Sequence, residues 1–265
     1  MNGNTFLQDI DEADMILVGL GEEFNGVKAL KDADEGYSRC REKLEEEGCL
    51  WMLPAYQARK RREAGVLVAS ALGRLLDKLE GKNYFVVSVA TDSSIAQLSW
   101  RDNRFVMPCG GASQKQCIDC ENSLAPVTRE DERRIGELFL ELEQNGTIEQ
   151  ARRETVLGRC PHCGRAMVLN NVYCENYDES GYLENWERYM KWLQGSLNHR
   201  LLVLELGVGM QFPSVIRWPF EKAAFFNNKA KFYRVNENLY QLTEELKGKG
   251  VSISENAIDW LSHLC

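Results

Sequence analysis

The chain has 265 residues, 44% hydrophobic and 27% charged, the profile of a globular protein forming one large domain with an appendage or two smaller ones. A formal net charge of −8 argues against nucleic acid or an anionic membrane as main partner, because both need clustered Lys and Arg. No apolar run approaches the roughly 18 residues a membrane span needs. The acidic, polar start MNGNTFLQDIDEAD is unlike a secretory signal, so nine cysteines point to a reducing, cytoplasmic setting rather than to disulfides.

In chain order, short apolar runs rich in β-branched residues read as buried parallel strands: MILVGL (15–20), YFVVSVA (84–90), RFVM (104–107), LLVLELG (201–207) and KFYRVN (231–236). Helical patterns lie between them. One runs from about Ala55 to Glu80, with Val68, Leu72, Leu75 and Leu79 on one face and Gly81 ending it. Its basic cluster RKRRE (59–63) reads as a solvated face. A second helix follows a Thr128 cap and stops at Asn145-Gly146. Thr147 and Gln150 have capping-box spacing for the next helix, and further helices fit 181–197, 237–248 and 254–264. Strands alternating with helices predict an α/β domain with a mostly parallel sheet.

Cysteines interrupt that alternation. Cys117-x-x-Cys120 and Cys160-x-x-Cys163 each bring two thiolates onto one turn, and together they complete a tetrahedral sulfur cage suited to zinc. Four sulfurs leave no open position for water, so the expected zinc is structural; His162, between two ligands, reads as a bystander. Cys40, Cys49, Cys174 and Cys265 read as ordinary core or surface thiols.

Two strands end in glycine turns: VGLGEEFNG after the first, with Gly19 and Gly21, and ELGVGMQFPS after the fourth, with Gly207, Gly209 and a helix start near Ser214. Glycines at the carboxyl end of a strand let backbone amides approach a phosphate, and two such turns on neighbouring strands suit a dinucleotide. The alternative is two plain tight turns. No third glycine follows at Rossmann spacing, and Glu22-Glu23 would repel a phosphate directly above them.

The order of these pieces resembles the sirtuins, NAD-dependent protein deacylases and ADP-ribosyltransferases. GLG at 19–21, VVSVATDSS at 86–94, MPCGG at 107–111, the two cysteine pairs, ELGVGMQFPSVIR at 205–217 and YRVNEN at 233–238 follow the family order over nearly the whole length. The long gap within the cysteine ribbon and the form of the second turn are more like the bacterial branch linked to macrodomains, whose members transfer ADP-ribose to a protein carrier. The resemblance implies a Rossmann-like parallel sheet, residues 1–112 and 195–265 with a helical cover at about 35–80, and an inserted zinc-ribbon and helical small domain at 113–194. It implies NAD or ADP-ribose held by Gly19, Gly21, Asp92, Gly207, Gly209 and Asn236, a structural zinc, and a protein substrate or carrier. Asp92 falls where the family holds the nicotinamide amide. Asn236 falls where it contacts the adenosine ribose, or serves as a plain helix cap.

Two positions depart from the family. Cys109, before Gly110, stands where deacylating members carry their catalytic His, and Ala90 stands where they carry an Asn. Cys109 reads as a substitute base or nucleophile, as a small buried residue in the vacated place, or as a redox sensor or further metal ligand. A thiol can act as base at neutral pH only where its surroundings lower its pKa. Arg217, after the second turn, reads as a phosphate or carrier contact or as an ordinary surface Arg. Three functions compete: NAD-dependent ADP-ribosyl transfer or deacylation with release of nicotinamide, a degenerate NAD or ADP-ribose binding module, and a zinc-stabilised scaffold.

Overall fold

A computed structural model describes residues 3–65 and 68–264. Its elements are α1 (Gly3–Glu12), β1 (Met15–Leu20), α2 (Val27–Ala33), α3 (Gly36–Glu46), α4 (Leu53–Ala64), α5 (Val68–Leu79), β2 (Tyr84–Ser88), α6 (Ser93–Ala96) and β3 (Phe105–Val106), followed by β4 (Gly110–Cys117), β5 (Ala125–Pro126), α7 (Arg129–Asn145), α8 (Gln150–Arg153), β6 (Met167–Asn171) and α9 (Ser180–Gln194). The chain closes with β7 (Leu201–Leu206), α10 (Arg217–Phe226), β8 (Lys231–Val235), β9 (Gly250–Ile253) and α11 (Ala257–Ser262). The five expected strands are all present.

Six strands form one parallel sheet in the order β3-β2-β1-β7-β8-β9. The strand order reverses between β1 and β7, and the carboxyl ends of these two strands open the crevice where such sheets take ligands. Side chains alternate across the sheet. Ile16, Val18 and Leu20 point to a core shared with α1, α5 and α11, while Met15 and Leu17 point to one shared with α9 and α10. The stripe Val68, Leu72, Leu75 and Leu79 is buried as its period requires, each side chain contributing roughly 1.5–3 kcal/mol of transfer free energy.

A three-stranded antiparallel sheet, β5-β4-β6, carries the cysteine loops. Its core is continuous with α2, α3, α4 and α7 through Leu30, Tyr37, Leu44, Tyr56, Phe139 and Leu169. Of the helical cover, α4 therefore packs on the ribbon side and α5 on the parallel sheet. Tyr189 and Trp192 of α9 lie against Phe85 of β2, with ring centroids 5.4 and 5.9 Å apart.

Several local expectations change. The helix expected over 55–80 is two helices: Gly65, at φ +66°, caps α4 by donating to the Arg61 and Arg62 carbonyls, and residues 66–67 lie outside those described. Thr128 forms a full capping box with Asp131 for α7, as expected of the cap. Thr147 does not cap α8; its hydroxyl bonds Glu47, and Glu149 takes the N-cap position. The helix near Ser214 starts at Arg217. The helix expected over 237–248 does not form, apart from one 3₁₀ turn at Glu244–Leu246. Its first carbonyls are taken by buried guanidinium groups instead of helical amides: Arg217 Nη2 bonds Leu239 O at 2.7 Å, and Arg234 Nη1 bonds Gln241 O at 2.6 Å. Arg234 also forms a bidentate pair with Glu205, at 2.7 and 3.0 Å, beneath the second glycine turn. Among the described residues, no helix is long and apolar enough to cross a membrane.

Candidate functional site

The crevice is built from strand ends. After β1 the Gly21 amide donates to Leu206 O of β7 at 2.8 Å, and the Glu23 amide donates to Gly207 O at 3.2 Å. The two glycine turns thus touch. A Cβ at Gly21 would lie inside the backbone of Gly207 and Val208, and Gly207 itself adopts φ +60°. Gly19 faces away from the crevice: a Cβ there would sit 2.6 Å from Ile216 and 2.8 Å from Phe220, so this glycine serves the packing of α10 on β1. Asn236, at the end of β8, bonds Val208 O at 3.1 Å through Nδ2, and its Oδ1 accepts the amides of Asn238 and Leu239. It holds the Val208–Gly209 turn and the start of the 237–241 segment together.

Two carboxylates from the first turn occupy the amides of the crevice wall. Glu22 accepts the Gly209 amide at 2.6 Å and the Gln211 amide at 3.2 Å, one on each oxygen. Glu23 accepts the Glu237 amide at 2.9 Å and the Ala257 amide at 2.8 Å. Burial pushes the Glu23 carboxyl above its ordinary range, although both amides favour its charged form. Outside the turn, a cleft of about 650 Å³ is lined by Glu22, Glu23, Lys28, Glu237, Asn256 and Asp259.

Asp92 lies past the end of β2, 4% exposed, and its Oδ1 caps α6 by accepting the Ser94 amide at 3.0 Å. Its other oxygen is 2.9 Å from Arg61 Nη2, and Arg61 Nη1 donates to Asn25 O at 2.6 Å. Asn25 in turn accepts the Thr91 amide at 2.9 Å, so the first turn, α4 and the Asp92 loop form one polar knot. The Nη2 hydrogens are not aimed at the carboxylate, which makes the contact a charge pair without a hydrogen bond. Burial lowers the Arg61 pKa, and the charge of Asp92 opposes that shift. Arg61 thus corrects the expectation that the 59–63 cluster is a solvated face: it turns inward, with Gln57 and Leu53 one and two turns before it, all three buried. The i, i+4 spacing was visible in the sequence, but polar residues at 57 and 61 disguised a buried stripe.

Cys109 is 2% exposed, in the apolar layer with Phe85, Val87 and Val106. Burial, with the nearby charge of Glu22, pushes its thiol up to about 12, so it remains protonated at neutral pH. Ala90 is fully buried in the opposite apolar layer. Arg217 is spent on the Val208 and Leu239 carbonyls, at 2.8 and 2.7 Å, and neither reaches outward nor lies on the surface.

The four expected metal ligands converge. The sulfurs of Cys117, Cys120, Cys160 and Cys163 all lie within 4.8 Å of one another, with Cys117–Cys163 at 3.5 Å and Cys120–Cys160 at 3.9 Å. Tetrahedral zinc, with bonds of about 2.3 Å, separates its sulfurs by about 3.8 Å, so the donor set fits that ion. His162 is exposed. Cys40 and Cys49 are buried and Cys174 is half-buried, while Cys265 lies outside the described residues. A dinucleotide fits less simply. The backbone frame is present, but amides suited to its phosphates carry carboxylates of the chain itself.

No protein-family model matches the chain. In sequence it is similar to a protein ADP-ribosyltransferase of Staphylococcus aureus (strain Mu50 / ATCC 700699), 22% identical over 103 residues. That match covers 38% of this chain and spans about a third, 33%, of the relative's length. In structure, all of the chain is similar to 95% of a Sir2 homologue mutant in complex with ADP-ribose, with TM-score 0.59 and 13% identity. It is likewise similar to 97% of Sir2Tm bound to a propionylated peptide, with TM-score 0.52 and 14% identity. With its six-stranded parallel sheet, four-cysteine loops and full-length likeness to the Sir2 structures, the chain has the sirtuin fold.

Proposed function

We propose that this chain binds NAD or ADP-ribose in the crevice between β1 and β7 and does not deacylate lysine. The carrying observation is the meeting of the two glycine turns at the point where the strand order reverses. The ADP-ribose complex of the similar Sir2 homologue supports the ligand class. Within this reading, Gly21, Gly207, Gly209 and Asn236 form the backbone wall against the dinucleotide, and Gly19 holds α10 beneath it. Asp92, tied to Arg61, fixes the loop at the nicotinamide end. Residues 1–112 and 195–265 supply the dinucleotide side, and 113–194 a small domain cross-linked by zinc through its four thiolates. Cys109 fills the place of a base without serving as one, since a thiol with a pKa near 12 accepts no proton at pH 7. Titration calorimetry with ADP-ribose and with NAD tests the proposal; heat of binding from at least one is expected, and none from either overturns it.

A second reading, transfer of ADP-ribose to a protein carrier, is favoured by the likeness to the staphylococcal ADP-ribosyltransferase. Cleaving the bond to nicotinamide leans on electrostatic support for a cationic ribose, so it does not require the missing base. Nicotinamide release separates the readings: binding without release rejects transfer and keeps the receptor.

A further inference from the structure

We infer that Glu22 is a built-in occupant of the phosphate position, a latch that a diphosphate ligand must displace. The inference rests on the dinucleotide reading of the crevice and concerns its control. A carboxylate that spans two backbone amides satisfies them as two phosphate oxygens would. Glu22 does this across Gly209 and Gln211, the amides of the second glycine turn, from the opposite wall of the crevice. Its neighbour Glu23 spans the Glu237 and Ala257 amides in the same way, so the pair lines up two anionic groups along one wall. The fit is close: a Cβ at Gly209 would lie 3.2 Å from the Glu22 carboxylate, and one at Gly207 would lie 2.6 Å from Glu23 Cβ.

Glu22 and Glu23 differ in what they can do. Glu23 Cβ packs directly over Gly207, and its carboxylate ties Glu237, just past β8, to the start of α11, which makes it a fixed part of the wall. Glu22 is half-buried and borders the cleft of about 650 Å³, which gives a displaced carboxylate room and water. Lys28 pairs with Glu237 in that cleft, and among the described residues no Lys or Arg forms an ion pair with Glu22. Ligand and latch compete for the same two amides, and like charge forbids both at once. The apparent affinity for a diphosphate is then reduced by the fraction of molecules whose latch is open.

This reverses the usual sign of a binding-site truncation. Glu22→Ala frees two amides and removes a negative charge, so ADP-ribose should bind tighter, on the order of tenfold or more. Glu22→Gln, which keeps one acceptor oxygen without the charge, should fall between wild type and Glu22→Ala. Calorimetry with ADP-ribose on all three proteins reads the effect, and amide hydrogen exchange at Gly209 and Gln211 reads the latch itself without any ligand. Tighter binding together with faster exchange at those two amides is the expected result. Equal or weaker binding by both variants, with wild type still binding, overturns the latch and leaves the receptor reading intact. Absence of binding in all three removes the dinucleotide reading and the latch with it. Should Glu22→Ala not fold, Glu22→Gln decides by the same comparison.

Discussion

Replacing Arg61 by leucine should cost the protein much of its stability, because it strands a charge. Arg61 and Asp92 have side chains only 4% and 5% exposed, so neither is rehydrated when the other is removed. Breaking a buried pair from one side costs about 3–5 kcal/mol, since the remaining charge stays in a poor solvent. Here the lower end applies: Nη2 makes no hydrogen bond to the carboxylate, and Asp92 keeps its bond to the Ser94 amide. The variant also loses the Nη1 bond to Asn25 O, which anchors the first glycine turn. For a chain of this size a loss of about 3 kcal/mol should lower the melting temperature by roughly 6–12 °C. Urea unfolding followed by tryptophan fluorescence gives the free energy, provided the m-value is unchanged. The diagnostic comparison is a cycle with Asp92→Ser, which keeps an oxygen to cap α6 but carries no charge. The double variant should be less damaged than the sum of the singles by about 2 kcal/mol. Additive losses, or a single-variant loss below about 1 kcal/mol, would refute the idea that the pair organises this loop.

Other consequences are as direct. The chain should bind one zinc, and strong chelation should remove it with loss of near-ultraviolet signal from Trp51, which shares the ribbon's apolar core; zinc content and circular dichroism are read together. Gly21→Ala should destabilise by about 1–3 kcal/mol or more, since its methyl group would lie inside the Gly207–Val208 backbone, and denaturant unfolding measures it. The Cys109 thiol should resist alkylation in native protein at pH 8 and react only on unfolding, as mass spectrometry of labelled peptides would show. Its folded pKa, about 12, lies above the ordinary 9.0, so folded protein holds the proton more tightly. The stability it contributes is complete below pH 9 and is lost towards pH 12, with a slope of up to about 1.4 kcal/mol per pH unit. Cys109→Ala should flatten that part of the profile.

The sequence alone determined the elements whose physics is local. Runs of buried β-branched residues located the five strands, a Thr128 cap and an Asn145-Gly146 stop bounded α7, and paired Cys-x-x-Cys spacing identified the four sulfurs that converge. These signals survive without tertiary contacts because they reside in backbone propensity and in ligand spacing. Only the tertiary structure decided what the polar residues near the crevice do. Arg61 was hidden by a charged neighbourhood, Glu22 looked like a phosphate repellent rather than an occupant, and the 237–248 segment lost its helix to Arg217 and Arg234. The physical reason is common to all three. A charged side chain has no fixed partner in sequence, and its preference for surface, ion pair or backbone group is set by whatever the fold brings within about 3 Å.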